Sequence, residues 1–120
     1  MNVNNVELEI DFFDLETSEK YEKALNKVTN SASKVQQKVE KEKKGMTFLI
    51  KTQCELIFDF FDEIFGEGTS LKIFGKKTNL RVCMDAFATI LQEYEKQTSE
   101  TVTYYQNLVS DKYSKRIPKR

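Results

Sequence analysis

Residues 55–91, from Glu55 to Leu91, read ELIFDFFDEIFGEGTSLKIFGKKTNLRVCMDAFATIL, and this stretch decides the fold. It holds six of the nine Phe and three of the four Gly in the chain, so dense apolar material alternates with helix-stopping signals. From Met46 to Phe65, apolar residues such as Ile50, Cys54, Ile57, Phe58, Phe61, Ile64 and Phe65 recur at the three-and-four spacing of one buried helix face, which Phe60 widens. Gly66 and Gly68 follow the last apolar pair, where a left-handed cap calls for a residue without Cβ. Thr69 is placed to cap a one-turn helix over Ser70–Phe74 that Gly75 ends. Thr78 or Asn79 is placed to cap the next helix, whose apolar face runs through Leu80, Cys83, Phe87, Ile90, Leu91 and Tyr94. The spacing predicts two helices joined through the short one as a compact helical hairpin, with Phe58, Phe61, Phe65, Phe74 and Phe87 buried together.

Outward from that centre, the N-terminal segment has a different period. Val6, Leu8, Ile10 and Phe12 alternate with Glu7, Glu9 and Asp11, the pattern of a strand with one buried face. Asn4-Asn5 is a tight-turn pair, so Met1–Val3 can fold back as a very short partner strand. Asp14 is the best N-cap for a helix in which Tyr21, Leu25, Val28, Ala32, Val35 and Val39 keep a four-three alternation, with Gly45 as its stop. After Val28 the residues around that seam are nearly all polar. The last helix has the same asymmetry: beyond Tyr94 its seam thins to Thr98, Thr101, Tyr105 and Leu108, with Val102 and Val109 beside it. Continuous from Asn79 to about Tyr113, it would be about 50 Å long, more than a globule of this size requires.

The fold class is therefore mainly α: a short N-terminal β-strand or hairpin followed by three to four helices, two of them long. Residues 1–13 form the β element, 14–113 the helical part and 114–120 a basic mobile tail ended as helix by Pro118, all within one domain of 14.0 kDa. The two sparse stripes, Val28–Val39 and Thr98–Val109, demand cover. Either they pair with each other as an antiparallel stalk, or they pack on a second subunit or a client helix. The interface candidates are Val35, Val39, Val102, Tyr105 and Leu108.

Composition argues against catalysis. There is no His, and Cys54 and Cys83 lie 29 positions apart on apolar faces, which reads as reduced core thiols rather than a zinc or nucleophile site. No Ser, Cys or Lys nucleophile stands beside an evident base. Glu55, Asp59, Asp62 and Glu63 share a helix face that a divalent cation would suit. The commoner reading is a solvated face opposite Lys72, Lys76, Lys77 and Arg81 across the turn. Gly75-Lys76-Lys77-Thr78 lacks the spacing and the preceding strand of a phosphate loop. Nineteen bases balance nineteen acids, so no net field favours nucleic acid, but the charge is unevenly laid down. Residues 7–22 carry seven acids against one Lys, and residues 112–120 carry five bases and no acid. No apolar run approaches the ~20 residues that span a bilayer. These observations imply a cytoplasmic protein without cofactor or metal, not associated with a membrane, and make nucleic acid an unlikely partner.

The run FDFFDEIFGEGTSLKIFGKKTNLRVCMDAF, with the opening VNNVELEIDFFD and the following EKYEKAL, resembles a family of small proteins encoded by phages and prophages of Firmicutes near their tail genes. The likeness is close over Phe58–Phe87, good over the first 25 residues, and slight over residues 29–45 and 95–120. That genomic setting is similar to the setting of tail-assembly chaperones. The resemblance implies a protein of the bacterial host cytoplasm that contacts phage structural or assembly proteins, while the uncovered stripes are what imply a homo-oligomer. It assigns no role to any residue. A different class of function, a small phage inhibitor of a host or defence enzyme, would use the acidic first segment as a decoy surface.

Overall fold

The computed structural model describes residues 1–116, with side-chain surroundings through Ser110. In order, the chain forms β1 (Asn2–Val3), β2 (Val6–Glu7), α1 (Leu15–Glu42), α2 (Met46–Phe65), α3 (Thr69–Phe74) and α4 (Leu80–Arg116). A short N-terminal hairpin followed by four helices is the architecture the sequence predicts.

β1 and β2 pair antiparallel with Val3 opposite Val6, and the turn residues Asn4 and Asn5 take φ values of 50° and 67°. Positive φ at both central positions matches the twist of a two-residue hairpin, and Asn tolerates it better than most side chains. The pairing reaches one step past Glu7, where the Leu8 amide donates to the Met1 carbonyl at 2.8 Å and the Met1 ammonium donates to the Leu8 carbonyl at 3.0 Å, and beyond Leu8 the alternation continues without a partner strand. Leu8 and Ile10 lean on the core as extended chain, and Phe12 is buried. α1 starts as expected, because the Asp14 carboxylate accepts from the Thr17 amide at 3.2 Å.

Gly45 does not close α1. Lys43 ends the helix in the left-handed region, at φ 53° and ψ 44°, and the Lys43 and Lys44 amides both donate to the Val39 carbonyl. Gly45 instead stands extended as the N-cap of α2. Helix propensity in the run KVEKEKK keeps the helix going until the first turn that α2 packing permits. A similar shift affects α3: Gly68, at φ 91° and ψ −8°, is its N-cap, while the Thr69 hydroxyl donates to the Gly66 carbonyl at 2.7 Å. Asn79 caps α4, accepting from the Val82 amide at 3.2 Å.

Packing contacts give the helix directions. Tyr21 of α1 lies against Phe60 of α2 with ring centroids 6.2 Å apart, and Lys38 further along reaches Phe48 near the start of α2, so α1 and α2 are antiparallel. Thr78 flanks the hollow formed by Ile50, Lys51 and Glu55, Cys83 neighbours Cys54, and Phe87 meets Phe60 at 5.0 Å. Low numbers meet low numbers and high meet high, so α2 and α4 run in the same direction. The hairpin predicted from the glycines is thus corrected: the Gly66–Gly75 connection, with α3 packed on α2 through Phe74 against Phe58 and Phe61, carries the chain back before α4 begins.

The core is a continuous run of rings and aliphatic side chains between these helices, with Phe60, Phe61, Ile90, Val3, Cys54 and Cys83 fully buried. Phe61 and Phe74 are buried as expected, whereas Phe58, Phe65 and Phe87 are only partly covered. Phe60, expected at the margin, is among the most enclosed side chains because it faces both Tyr21 and Phe87. Both cysteines are free, and burial pushes the Cys83 thiol up to about 12, with the neighbouring Cys54 adding to the effect.

α4 continues through Arg116 rather than stopping near Tyr113, as no Gly or Pro interrupts it before Pro118. The remainder of the expected basic tail, residues 117–120 with Pro118, lies outside the described residues. The molecule measures 71 × 31 × 22 Å, its long dimension reflecting α4.

Candidate interaction surface

The apolar seam of α4 starts inside the core. Cys83 and Ile90 are fully buried, and Phe87 and Tyr94 are half-buried on the same face. Tyr94 stacks on Tyr21 at 4.9 Å and meets the edge of Phe12 at 5.1 Å, closing the core at the point where α1 begins. Burial there pushes the Tyr21 phenol up to about 12, with Tyr94 and Glu95 adding to the shift.

One turn further on, Gln97 ties α4 to the extended segment. Its Oε1 accepts from the Phe12 amide at 3.0 Å and its Nε2 donates to the Ile10 carbonyl at 2.8 Å and to Glu93 at 2.8 Å. One amide orientation satisfies all of these partners. Sequence reasoning missed this residue, since a Gln one step off the seam carries no signal of its own. It also missed Asn4, whose Nδ2 donates to the Ile73 carbonyl at 2.7 Å and joins the hairpin turn to α3.

Beyond Thr98 and Thr101, which are half-buried, the same helix face continues exposed through the described residues. Val102, Tyr105, Leu108 and Val109 are 46%, 62%, 51% and 49% exposed, and Tyr104 is exposed beside them. At the root of this projection, Phe13 and Leu15 are also exposed, and with Phe12, Ser18, Tyr94 and Thr98 they line a shallow hollow between the start of α1 and α4. A second hollow, lined by Tyr94, Thr98, Ser99 and Val102, continues from it along α4. Phe13 and Leu15 left a trace in the sequence: Phe13 breaks the strand alternation and Leu15 is an apolar residue directly after an N-cap.

The five interface candidates are therefore split. Val102, Tyr105 and Leu108 lie together on the projecting face. Val35 and Val39 are half-buried in the part of α1 that runs beside the start of α2, where Lys38 and Lys44 both reach the Phe48 ring. The two seam extensions point to opposite ends of the molecule, so the intramolecular stalk does not form. Val28–Val39 has found its cover in α2.

The acidic face of α2 is dispersed rather than convergent. Asp62 accepts from both the Ser70 amide at 2.7 Å and the Ser70 hydroxyl at 2.9 Å, fixing α3. Glu63 pairs with Lys27 of α1 at 2.6 Å. The expected opposition across the turn is absent: among the described residues no ion pair joins these acids to Lys72, Lys76, Lys77 or Arg81. Asp59 is left beside Glu63, and partial burial, then that charge, raises its pKa above the usual carboxylate value. Among the described residues no cluster of His, Cys, Asp and Glu has the geometry to hold a metal, and no helix is long and apolar enough to cross a membrane.

These features define a mainly α protein whose helical body carries one helix extended beyond its own core. The chain belongs to the family of unknown function DUF6673, whose family model matches residues 4–120. No curated protein and no solved structure matches it.

Proposed function

We propose that this is a non-enzymatic phage or prophage protein that works by protein–protein contact during tail or virion assembly, in the cytoplasm of the bacterial host. One observation carries the contact reading: the core-forming face of α4 runs on past the body with Val102, Tyr105, Leu108 and Val109 about half exposed or more. A helix shows such a row to water at a cost in solvation, and a row of this kind along an amphipathic helix is the form in which helical partners are recognised. The phage setting is supported by the likeness of residues 58–87 to small proteins encoded near tail genes.

Affinity capture from phage-producing cells, with the wild type and Tyr105→Asp side by side, tests it. Recovery of tail or virion proteins by the wild type alone supports the assembly role. Recovery of a host enzyme, lost on Glu9→Gln and Asp11→Asn rather than on Tyr105→Asp, would replace it with the inhibitor role. Identical recoveries from wild type and Tyr105→Asp would refute contact through α4.

A further inference from the structure

We infer that the exposed end of α4 pairs antiparallel with the same segment of a second copy of this chain, about a two-fold axis near Tyr105. The inference deepens the contact reading above and rests on it, since the same stripe is used.

The first support is the seam itself. Pairing about Tyr105 sets Val102 against Leu108, Thr101 against Val109 and Tyr105 against itself, so the exposed stripe of one copy lies on the same stripe of the other. The second is charge. Thr101–Ser110 reads TVTYYQNLVS, ten residues without a single charge in a chain that is 32% charged, so the centre of the pair meets no repulsion.

The flanks then choose the orientation and the occupant. The root of α4 is acidic, with Glu93, Glu95 and Glu100 against one base, Lys96, on the helix and Glu9, Asp11, Asp14 and Glu16 in the adjoining segment. The sequence of the last turns is basic, with Lys112, Lys115 and Arg116 against one acid, Asp111. These opposite charges attract, but within one chain they cannot meet, because a continuous helix holds Arg116 about 33 Å from Tyr94. In an antiparallel pair about Tyr105 the basic end of each copy arrives at the acidic root of the other, over the hollow that exposes Phe13 and Leu15. A parallel pair would set acid on acid and base on base. Thr98 and Thr101 in the seam keep the contact weak enough to exchange for a client helix, as polar seam positions fix register while lowering stability.

The test uses the purified full-length protein. Light scattering from low to high micromolar concentration is expected to show the mass rising from 14.0 kDa towards twice that value, with added salt weakening the association. Tyr105→Asp and Leu108→Asp, which lie outside the core, are expected to keep parental circular dichroism and to weaken association at least tenfold. Orientation is read from thiol pairs under an added oxidant: Val102→Cys mixed with Leu108→Cys should cross-link faster than either variant with itself. A mass fixed at 14.0 kDa throughout, or like-with-like cross-links in preference to the mixed pair, overturns the inference. A monomer that still captures tail proteins through Tyr105 would sink the pairing and leave the assembly role standing, whereas a dimer that captures nothing would do the reverse.

Discussion

Lys43 holds the conformation that a glycine holds at the end of many helices. At φ 53° its Cβ crowds the backbone, and an L residue in this region costs about 1–2 kcal/mol that glycine does not. Lys43→Gly should therefore stabilise the protein by about 0.5–1 kcal/mol, the relief of strain exceeding the entropy that glycine adds to the unfolded chain. An unchanged or lowered denaturant midpoint would show that the left-handed cap carries no strain. Asp59 shows the electrostatic counterpart. Partial burial and the nearby Glu63 raise its pKa in the fold, so the native state binds this proton more tightly than the unfolded chain does. The charged form is therefore a liability above the folded pKa, and stability from this group returns as pH falls through it. Asp59→Asn should raise the urea midpoint at pH 7, and its advantage over the parent should shrink as pH is lowered into the carboxylate range. An advantage that is constant with pH would assign the effect to packing instead of charge.

The elements themselves were legible because each is bounded by local chemistry: Asp14 and Asn79 cap, Asn4-Asn5 turn, and Gly66 and Gly75 leave the helices with φ of 111° and 63°. Their mutual placement was far less legible. Gly66 and Gly75 announce a break, but whether the chain reverses once or twice within it depends on Phe74 finding Phe58 and Phe61, a contact that no local pattern encodes. Likewise Lys43 rather than Gly45 ends α1, because the boundary is set by where α2 must start. Polar ties between elements were hidden most completely, and Gln97 is the clearest case. Among the described residues its amide is the sole side-chain partner of the Phe12 amide and the Ile10 carbonyl, in partly buried bonds. Gln97→Ala leaves that donor and acceptor unsatisfied at about 1–3 kcal/mol. Hydrogen exchange should speed up at Phe12 while the amides in the middle of α2 keep their protection. Undisturbed exchange at Phe12 would mean that core packing of its ring alone holds the segment.

On the scale of the molecule, the two thin seams had equal standing in the sequence, and the structure treats them oppositely. Val28–Val39 is covered by α2, whereas Val102–Val109 is carried clear of the body by a helix that goes on for about 28 Å past Gln97. A seam looks the same whether its cover comes from the same chain or another; the direction in which its helix leaves the core separates the two cases. Val35 and Val39 are half-buried beside α2, whereas Val102, Tyr105 and Leu108 stand exposed on the part of α4 that runs past the body. It follows that the distal part of α4 adds little to the stability of the isolated body. Among the described residues its last hydrogen bonds inward are those of Gln97, with Thr98 and Thr101 half-buried beside them, so a chain ending at Thr103 keeps every buried residue of the core. Its thermal midpoint in dilute solution should match the full-length protein's within a degree or two, well inside the roughly 4–8 °C that 1 kcal/mol moves a domain of about this size. The same truncation should abolish association at high concentration. A midpoint lowered by many degrees in dilute solution would mean that the distal helix is held by its own body after all, and the interaction surface would have to be sought elsewhere on the molecule.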